Sequence, residues 1–355
     1  MRREGAEAEG GSALEHFRWA FIVTAAGLVL GGWVGWNATG TVSGTLSIFL
    51  ICAVLAMLEI SLSFDNAIVN ANKLKTMSPV WQRRFLTWGI RIAVFGMRIV
   101  FPLLIVVVAA NVGAWQALVL AVSQPDEYAR ILHDAHLGIA AFGGAFLLMV
   151  GLSFFFDTAK DEHWVQWIES RMARAAGIRG FEIMLVLGLI LAFVGLQKTP
   201  VAGHVFFGAA IWGLVTFLAV EALGALLDSS KEVLQGAARG GLGAFLYLEV
   251  LDASFSFDGV IGAFALSHNL LVIAIGLGTG AMYVRSMTIM LVRQGTLKQY
   301  CYLEHGAFYA VIVLSVIMFA QSVVDVPELV TGLGGVTMIG LALWSSVRRN
   351  RVVGF

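Results

Sequence analysis

Two short stretches of the chain carry acidic, amide and hydroxyl side chains inside otherwise apolar sequence: LEISLSFDN at 58–66 and LDASFSFDG at 251–259. The first supplies Glu59, Asp65 and Asn66; the second supplies Asp252 and Asp258, with Glu249 one turn ahead. Ser61 and Ser63 in the first correspond to Ser254 and Ser256 in the second. Oxygens of this kind are hard ligands and suit Mg²⁺, Ca²⁺ or Mn²⁺ better than copper or zinc. Met57 and Cys52 could add soft sulfur, but apolar packing is the ordinary duty of such side chains. An ionised carboxylate in hydrocarbon costs roughly 2.5–3.5 kcal/mol on insertion scales, so it has to face a partner, water or an ion.

Helical spacing restricts how these groups can meet. On a regular helix Glu59 and Asn66 share a face, as do Ser61 and Asp65, or Asp252 and Ser256, while Glu59 and Asp65 stand about 120° apart. Glu59 and Asp252 fall near the centres of their apolar runs, and Asp65 and Asp258 fall nearer the C-terminal ends. Either the two helices break or tilt at SFDN and SFDG, or the carboxylates line a pathway. A plainer alternative pairs them with intramembrane Arg91, Arg98 and Arg285, which would hold a bundle together. Glu221 has no matched partner and is read as a proton-relay position. His136, His204, His268 and His305 lie near the ends of apolar runs, where an interfacial imidazole is the ordinary reading.

The elements that must position these residues are membrane helices. Of the 355 residues 59% are hydrophobic and 13% charged, and the mean hydropathy is +0.84. Candidate spans run near 18–37, 43–70, 85–110, 135–156, 181–198, 203–226, 242–267, 270–292, 304–323 and 328–347. The expected fold is therefore an all-α polytopic bundle of about ten spans. Segment 111–134, interrupted by Pro125 and charges, reads as an interfacial helix and turn. Residues 1–17 read as a cytoplasmic tail without the features of a secretory signal, and 348–355 as a basic cytoplasmic tail. Basic residues concentrate in alternate connections, at Lys73, Lys75, Arg83 and Arg84, at Lys160, Arg171, Arg174 and Arg179, at Lys231 and Arg239, at Arg293 and Lys298, and at Arg348, Arg349 and Arg351. The positive-inside rule then puts both termini in the cytoplasm.

With that direction of travel the two acidic motifs run oppositely through the bilayer. The likeness extends from them: AVFGMR ending at Arg98 matches AMYVR ending at Arg285, and His136 opens one helix as Glu304 and His305 open another. Inverted repeats over about 43–156 and 242–323 follow, an arrangement in which secondary transporters place their site near midplane. Glycine-rich FGGAF and GLGTGA suit close helix contact, and no Gly-rich loop follows a strand as nucleotide binding would need. Cys52 and Cys301 make no disulfide framework, and without a CxxC or a His/Cys cluster zinc and iron–sulfur chemistry have no support. No prosthetic group, no nucleic-acid partner and no enzymatic constellation is expected.

The motifs LEISLSFDN and YLEVLDASFSFDGVIGAF resemble the TerC-like integral membrane family, its DUF475 branch in particular, over roughly 45–320. The resemblance implies inverted three-helix units and a link to manganese export, metal homeostasis and tellurite resistance. It also implies that Glu59, Asp65 and Asn66 are metal residues of one copy, and Asp252 and Asp258 of the other, with Gly259 standing where the first copy has Asn66. The expected function is divalent-cation transport, with Mn²⁺ or another hard divalent cation as substrate. The expected setting is a bacterial inner (cytoplasmic) membrane, with the lipid bilayer as partner. The alternative is a non-transporting membrane partner for protein export, membrane-protein assembly or metal loading of exported enzymes, docking through the basic amphipathic 157–180 segment.

Overall fold

The computed structural model of the chain describes residues 13–89, 91–157, 162–178, 180–229, 241–267, 269–324 and 326–353. Outside the described residues lie most of the N-terminal tail, His268, and the charges Lys160, Arg179, Lys231, Arg239 and Asp325; the side chains of Asp258 and Lys298 fall outside them as well.

All regular structure among the described residues is helical: α1 (Ala13–Thr39), α2 (Val42–Leu62), α3 (Phe64–Lys75), α4 (Pro79–Arg84), two π-helical segments at Phe85–Gly89 and Ile92–Val100, α5 (Phe101–Ala109), α6 (Ala114–Ser123), α7 (Pro125–Phe156), α8 (Gln166–Ala175), α9 (Phe181–Gly195), α10 (Pro200–Ser229), α11 (Leu242–Leu266), α12 (Leu270–Arg293), α13 (Thr296–Gln299), α14 (Leu303–Gln321) and α15 (Glu328–Val353). Local sequence explains several starts. Thr41 caps α2 by accepting the Gly44 N–H at 3.1 Å, and the Asn269 side chain accepts from Leu271 and Val272 at the head of α12.

The chain is an integral, multi-pass membrane protein, but ten spans is an overcount. Among the described residues six helices are long and apolar enough to cross a bilayer, α1, α2, α7, α10, α12 and α14, or seven if the bent pair Phe95–Ala109 and Ala114–Ser123 is one span. The reasons are physical. With 15 residues, α9 reaches only about 22 Å at 1.5 Å per residue, short of the roughly 30 Å hydrocarbon core. Length is not the obstacle for α11; Glu249, Asp252 and Asp258 lower its hydropathy. Pro125 is not a breaker either: it occupies the first turn of α7, where its missing N–H costs nothing, so that helix starts well before residue 135.

Whether the motif helices break has a split answer. The first is interrupted for one residue at Ser63 (φ −105°, ψ 17°), between α2 and α3, while α11 runs unbroken through SFDG. Burial separates the layers. In the most apolar 18-residue stretch of α7, 72% of residues are buried, against 22% in α1 and 17% in α2, so α7 is the central helix and α1 and α2 present their apolar sides to lipid.

Packing follows an inverted-repeat pattern. α2 lies on α12 as α11 lies on the π-helical Ile92–Val100 segment, α3 lies on α14 as α11 lies on α7, and α7 and α14 lie on each other. Direction is set by which residues meet. A Cβ on Gly259 would stand 3.4 Å from Glu59 Oε2, and Asn70 donates to Asp252. Rising numbers in α2–α3 thus meet falling numbers in α11, and the two motifs run antiparallel. GLGTGA makes the close contact expected of it. A Cβ on Gly280 would fall 2.5 Å from Glu59 Cβ and 2.7 Å from the Ala56 carbonyl oxygen, so only glycine lets α12 approach α2 there.

Candidate functional site

Where the antiparallel motifs meet, Glu59, Glu249 and Asp252 are buried against Arg98 and Arg285, and Asp65 is buried at the head of α3. Glu59 is 2% exposed. Its Oε1 is paired with the Arg98 Nη2 and also accepts from the Ser63 hydroxyl at 3.0 Å. At the Ser63 interruption the Ser63 hydroxyl thus donates back to the carboxylate one turn earlier.

Asp252 accepts a 2.8 Å hydrogen bond from the Asn70 amide, and Asn66, Arg285 and Arg98 lie within interaction reach of it. Arg285 lies over the Phe85 ring, its guanidinium carbon 3.8 Å from the ring centroid, and is within electrostatic reach of both Asp252 and Glu249. A Cβ on Gly89 would stand 2.6 Å from Arg285 Nη2 and 3.1 Å from Glu249 Oε1, so bare backbone from the π-helical segment covers the pair. Both Glu249 oxygens lack hydrogen-bond partners among the described residues. Asp65 differs from the rest. It makes no ion pair among the described residues; its Oδ1 accepts the Asn66 N–H at 2.9 Å.

Pairing with arginine is thus half of the picture. Arg98 and Arg285 join the carboxylates as the bundle-holding reading expects, but Arg91 does not: it is exposed and lies over the Trp88 ring at 5.1 Å. Seven residues would bring Arg91 and Arg98 to one face of a regular α-helix. The wider π-helical winding of Ile92–Val100 breaks that register, burying Arg98 and leaving Arg91 outside. π-Helical turns of this kind recur at functional sites.

The remaining residues singled out from sequence are spread more widely. Ser61 is exposed at the rim of a small cavity beside Asp65. The Ser254 hydroxyl is spent on its own helix, donating to the Val250 carbonyl at 3.0 Å, while the buried Ser256 hydroxyl has no partner among the described residues. Glu221 is exposed and stands with Lys73 and Tyr247 around a separate cavity of about 400 Å³. Cys52 is buried with its thiol toward the Val272 carbonyl, and Cys301 accepts from Arg349 at 3.0 Å. His204 is exposed, and His305, in the first turn of α14, is buried with its Nε2 2.9 Å from the Glu162 carbonyl oxygen.

Two groups escaped the sequence reading. Asn70 sits four residues after Asn66, one turn further along the same face, so spacing alone would have found it. Glu169 on α8 could not be found that way. It accepts from the Trp164 and Val165 N–H groups at 3.2 and 3.1 Å and from the Tyr309 hydroxyl at 3.2 Å, with His163 and His305 nitrogens 3.3 and 3.4 Å away. Beside it Arg349 grips Glu162 through two bonds of 2.5 and 2.8 Å and holds that carboxyl below the usual carboxylate range. These contacts fasten α8 and α15 to one end of the bundle.

Among the described residues no three His, Cys, Asp or Glu side chains converge closely enough to form a metal cage by themselves. The buried carboxylates outnumber the buried arginines, and the amides of Asn66 and Asn70 and the hydroxyl of Ser63 stand beside them.

No curated protein and no solved structure matches the chain. A family model described as Protein of unknown function (DUF475) matches residues 64–353, from the start of α3 to the end of α15, taking in Asp65, Asn70, Arg98, Glu249, Asp252 and Arg285 and leaving out Glu59. The chain belongs to the DUF475 family.

Proposed function

We propose that this protein transports a hard divalent cation across its membrane, Mn²⁺ export being the form that the resemblance to TerC-like proteins favours. The observation that carries this reading is a charge surplus. Four buried carboxylates, Glu59, Asp65, Glu249 and Asp252, stand on or beside the two antiparallel motifs, against two buried guanidiniums, Arg98 and Arg285. Two negative charges are left over, and an apolar bundle does not keep such charge without protons or a cation. One dication exchanged for two protons would leave the bundle's charge unchanged, so metal and protons would compete for the same carboxylates.

The working set is Glu59, Asp65, Asn66, Glu249, Asp252 and Asp258, with Arg98 and Arg285 as fixed counter-charges. Lack of a ready-made cage suits this class of ion, because Mg²⁺ and its like are held by one or two carboxylates and keep several waters. Rocking of the two repeats about the Glu59–Asp252 region would expose the carboxylates to each side in turn. Both termini would lie in the cytoplasm of a bacterial inner membrane, as the basic connections suggest.

The test is flux in proteoliposomes of the purified protein, with Mn²⁺, Mg²⁺, Ca²⁺ and Zn²⁺ offered separately. Movement of one or more hard cations, faster when the opposite compartment is acidified, is the expected result. Absence of flux for every one of them, from protein shown to be folded and inserted, would contradict transport and favour a partner-protein role through the 157–180 segment.

A further inference from the structure

Two helices at one end of the bundle share a pattern that the acidic motifs do not account for. On α8 it is Trp167, Arg171 and Arg174; on α15 it is Trp344, Arg348 and Arg351. The spacing is the same in both, and on a regular helix it holds each trio within an arc of about 60°. All six side chains are exposed. In each trio the first arginine lies over the tryptophan ring, Arg171 at 4.6 Å from the centroid and Arg348 at 5.6 Å.

Both helices are held from behind. Two residues after each tryptophan, on the opposite face, stands a buried polar group. Glu169 accepts from two backbone N–H groups and the Tyr309 hydroxyl, and Ser346 accepts the Tyr302 N–H at 3.0 Å. The trios therefore face outward, and no acid shares their faces. Glu169 is the one acidic residue of α8, and Glu328, that of α15, stands at the far end of its helix. None of the four arginines makes an ion pair among the described residues.

Position indicates what the trios face. α8 lies between the end of α7 at Phe156 and the start of α9 at Phe181, at the membrane surface where α7 emerges. The grip of Arg349 on Glu162 brings the tail of α15 to the same surface. α15 arrives there along an apolar stripe, because exposed Leu333 and Leu341 share the face of Trp344. Apolar side chains, then tryptophan, then arginine is the order in which a helix passes hydrocarbon, interface and headgroups. Tryptophans 63% and 60% exposed would be wasted on water, where burying apolar area is what stabilises.

We infer that the two trios are a pair of binding sites for anionic phospholipid, the arginines of each gripping one headgroup phosphate and the tryptophan lying at the interface. Arginine is suited to phosphate by its fork of N–H donors. With no carboxylate on either face to receive a choline or ethanolamine cation, a headgroup of net negative charge fits best. The inference stands whether or not the protein transports an ion.

The test is native mass spectrometry of the purified full-length protein in a neutral detergent, titrated separately with phosphatidylglycerol and phosphatidylcholine. Wild type is expected to show two tight sites for phosphatidylglycerol that phosphatidylcholine does not fill. Arg171→Gln with Arg174→Gln should remove one of them, Arg348→Gln with Arg351→Gln the other, and the four changes together both. Each arginine lost should weaken its site about 5-fold, the scale of one basic side chain at an anionic surface. Arg130→Gln, an exposed arginine at the opposite end of α7, should keep both sites. Each variant must elute as the wild type does in size-exclusion chromatography, so that a folding defect is not read as a binding one. Wild-type affinity for phosphatidylglycerol in the fourfold variant overturns the inference and leaves α8 to a protein partner. Equal affinity of wild type for the two lipids overturns it as well, and displacement of the lipid by inorganic phosphate would make the trios sites for a soluble anion instead.

Discussion

At the scale of single residues the Glu59–Arg98 pair is the feature with the most at stake. Both members are almost fully buried, and Ser63 supports the carboxylate from one turn away. Removing one member of a buried pair costs about 3–5 kcal/mol, whereas replacing both by apolar groups is often neutral. Glu59→Gln should therefore lower the melting temperature in detergent by many degrees, and Glu59→Gln with Arg98→Met should recover most of the loss. A single variant that melts with the wild type would show that the pair does not hold the fold. Asn70 offers a milder case. Its amide donates to Asp252, and a hydrogen bond to a charged group is worth about 1.5–3 kcal/mol. Asn70→Leu should slow cation flux while the protein stays folded; undiminished flux would remove Asn70 from the site. Residue spacing alone put Asn66 on the Glu59 face, but it could not tell which arginine would meet Glu59. That choice depends on π-helical winding between Arg91 and Arg98, which has no signature in hydrophobic periodicity.

At the scale of helices, the contact between α2 and α12 sets the distance between the two halves of the site. Gly280 meets the backbone of Ala56 and the stem of Glu59, neither of which can give way cheaply. Gly280→Ala should destabilise the protein by about 1–3 kcal/mol, the usual cost of overpacking. Gly340→Ala, where nothing stands within 4 Å of the added Cβ, serves as the control. Equal thermal stability of the two variants would mean that α2 and α12 are not in this contact. Apolar runs revealed nearly every helix, because length and hydrophobicity suffice for that. They misjudged which helices resemble ordinary spans. α11 is the acidic helix itself, α9 is short, and Pro125 reads as an interruption until its place in the first turn of α7 is known. The same runs showed three glycines in GLGTGA, and their service to close packing was legible from small-residue spacing.

At the scale of the whole molecule, α7 fixes the geometry of crossing. Its 32 residues extend about 48 Å at 1.5 Å per residue, well beyond the hydrocarbon thickness. Glu127 at its head and Glu162 beyond its tail must then lie on opposite sides of the membrane. In a Cys301→Ser background, Glu127→Cys and Glu162→Cys should react with a membrane-impermeant thiol reagent from opposite faces; labelling from the same face would refute the crossing. The antiparallel placement of the motifs was legible from the alternation of basic connections, a global pattern that survives errors in the number of spans. The apolar run at 328–347 showed α15; what stayed hidden was the grip of its Arg349 on Glu162, which no periodicity reveals. The most direct test of the account compares Mn²⁺ flux through wild type, Asp65→Asn and Asp252→Asn in proteoliposomes with equal inserted protein. Both changes keep size and remove charge, and the account predicts that each variant falls to the level of empty vesicles. Flux at the wild-type rate in both would contradict it.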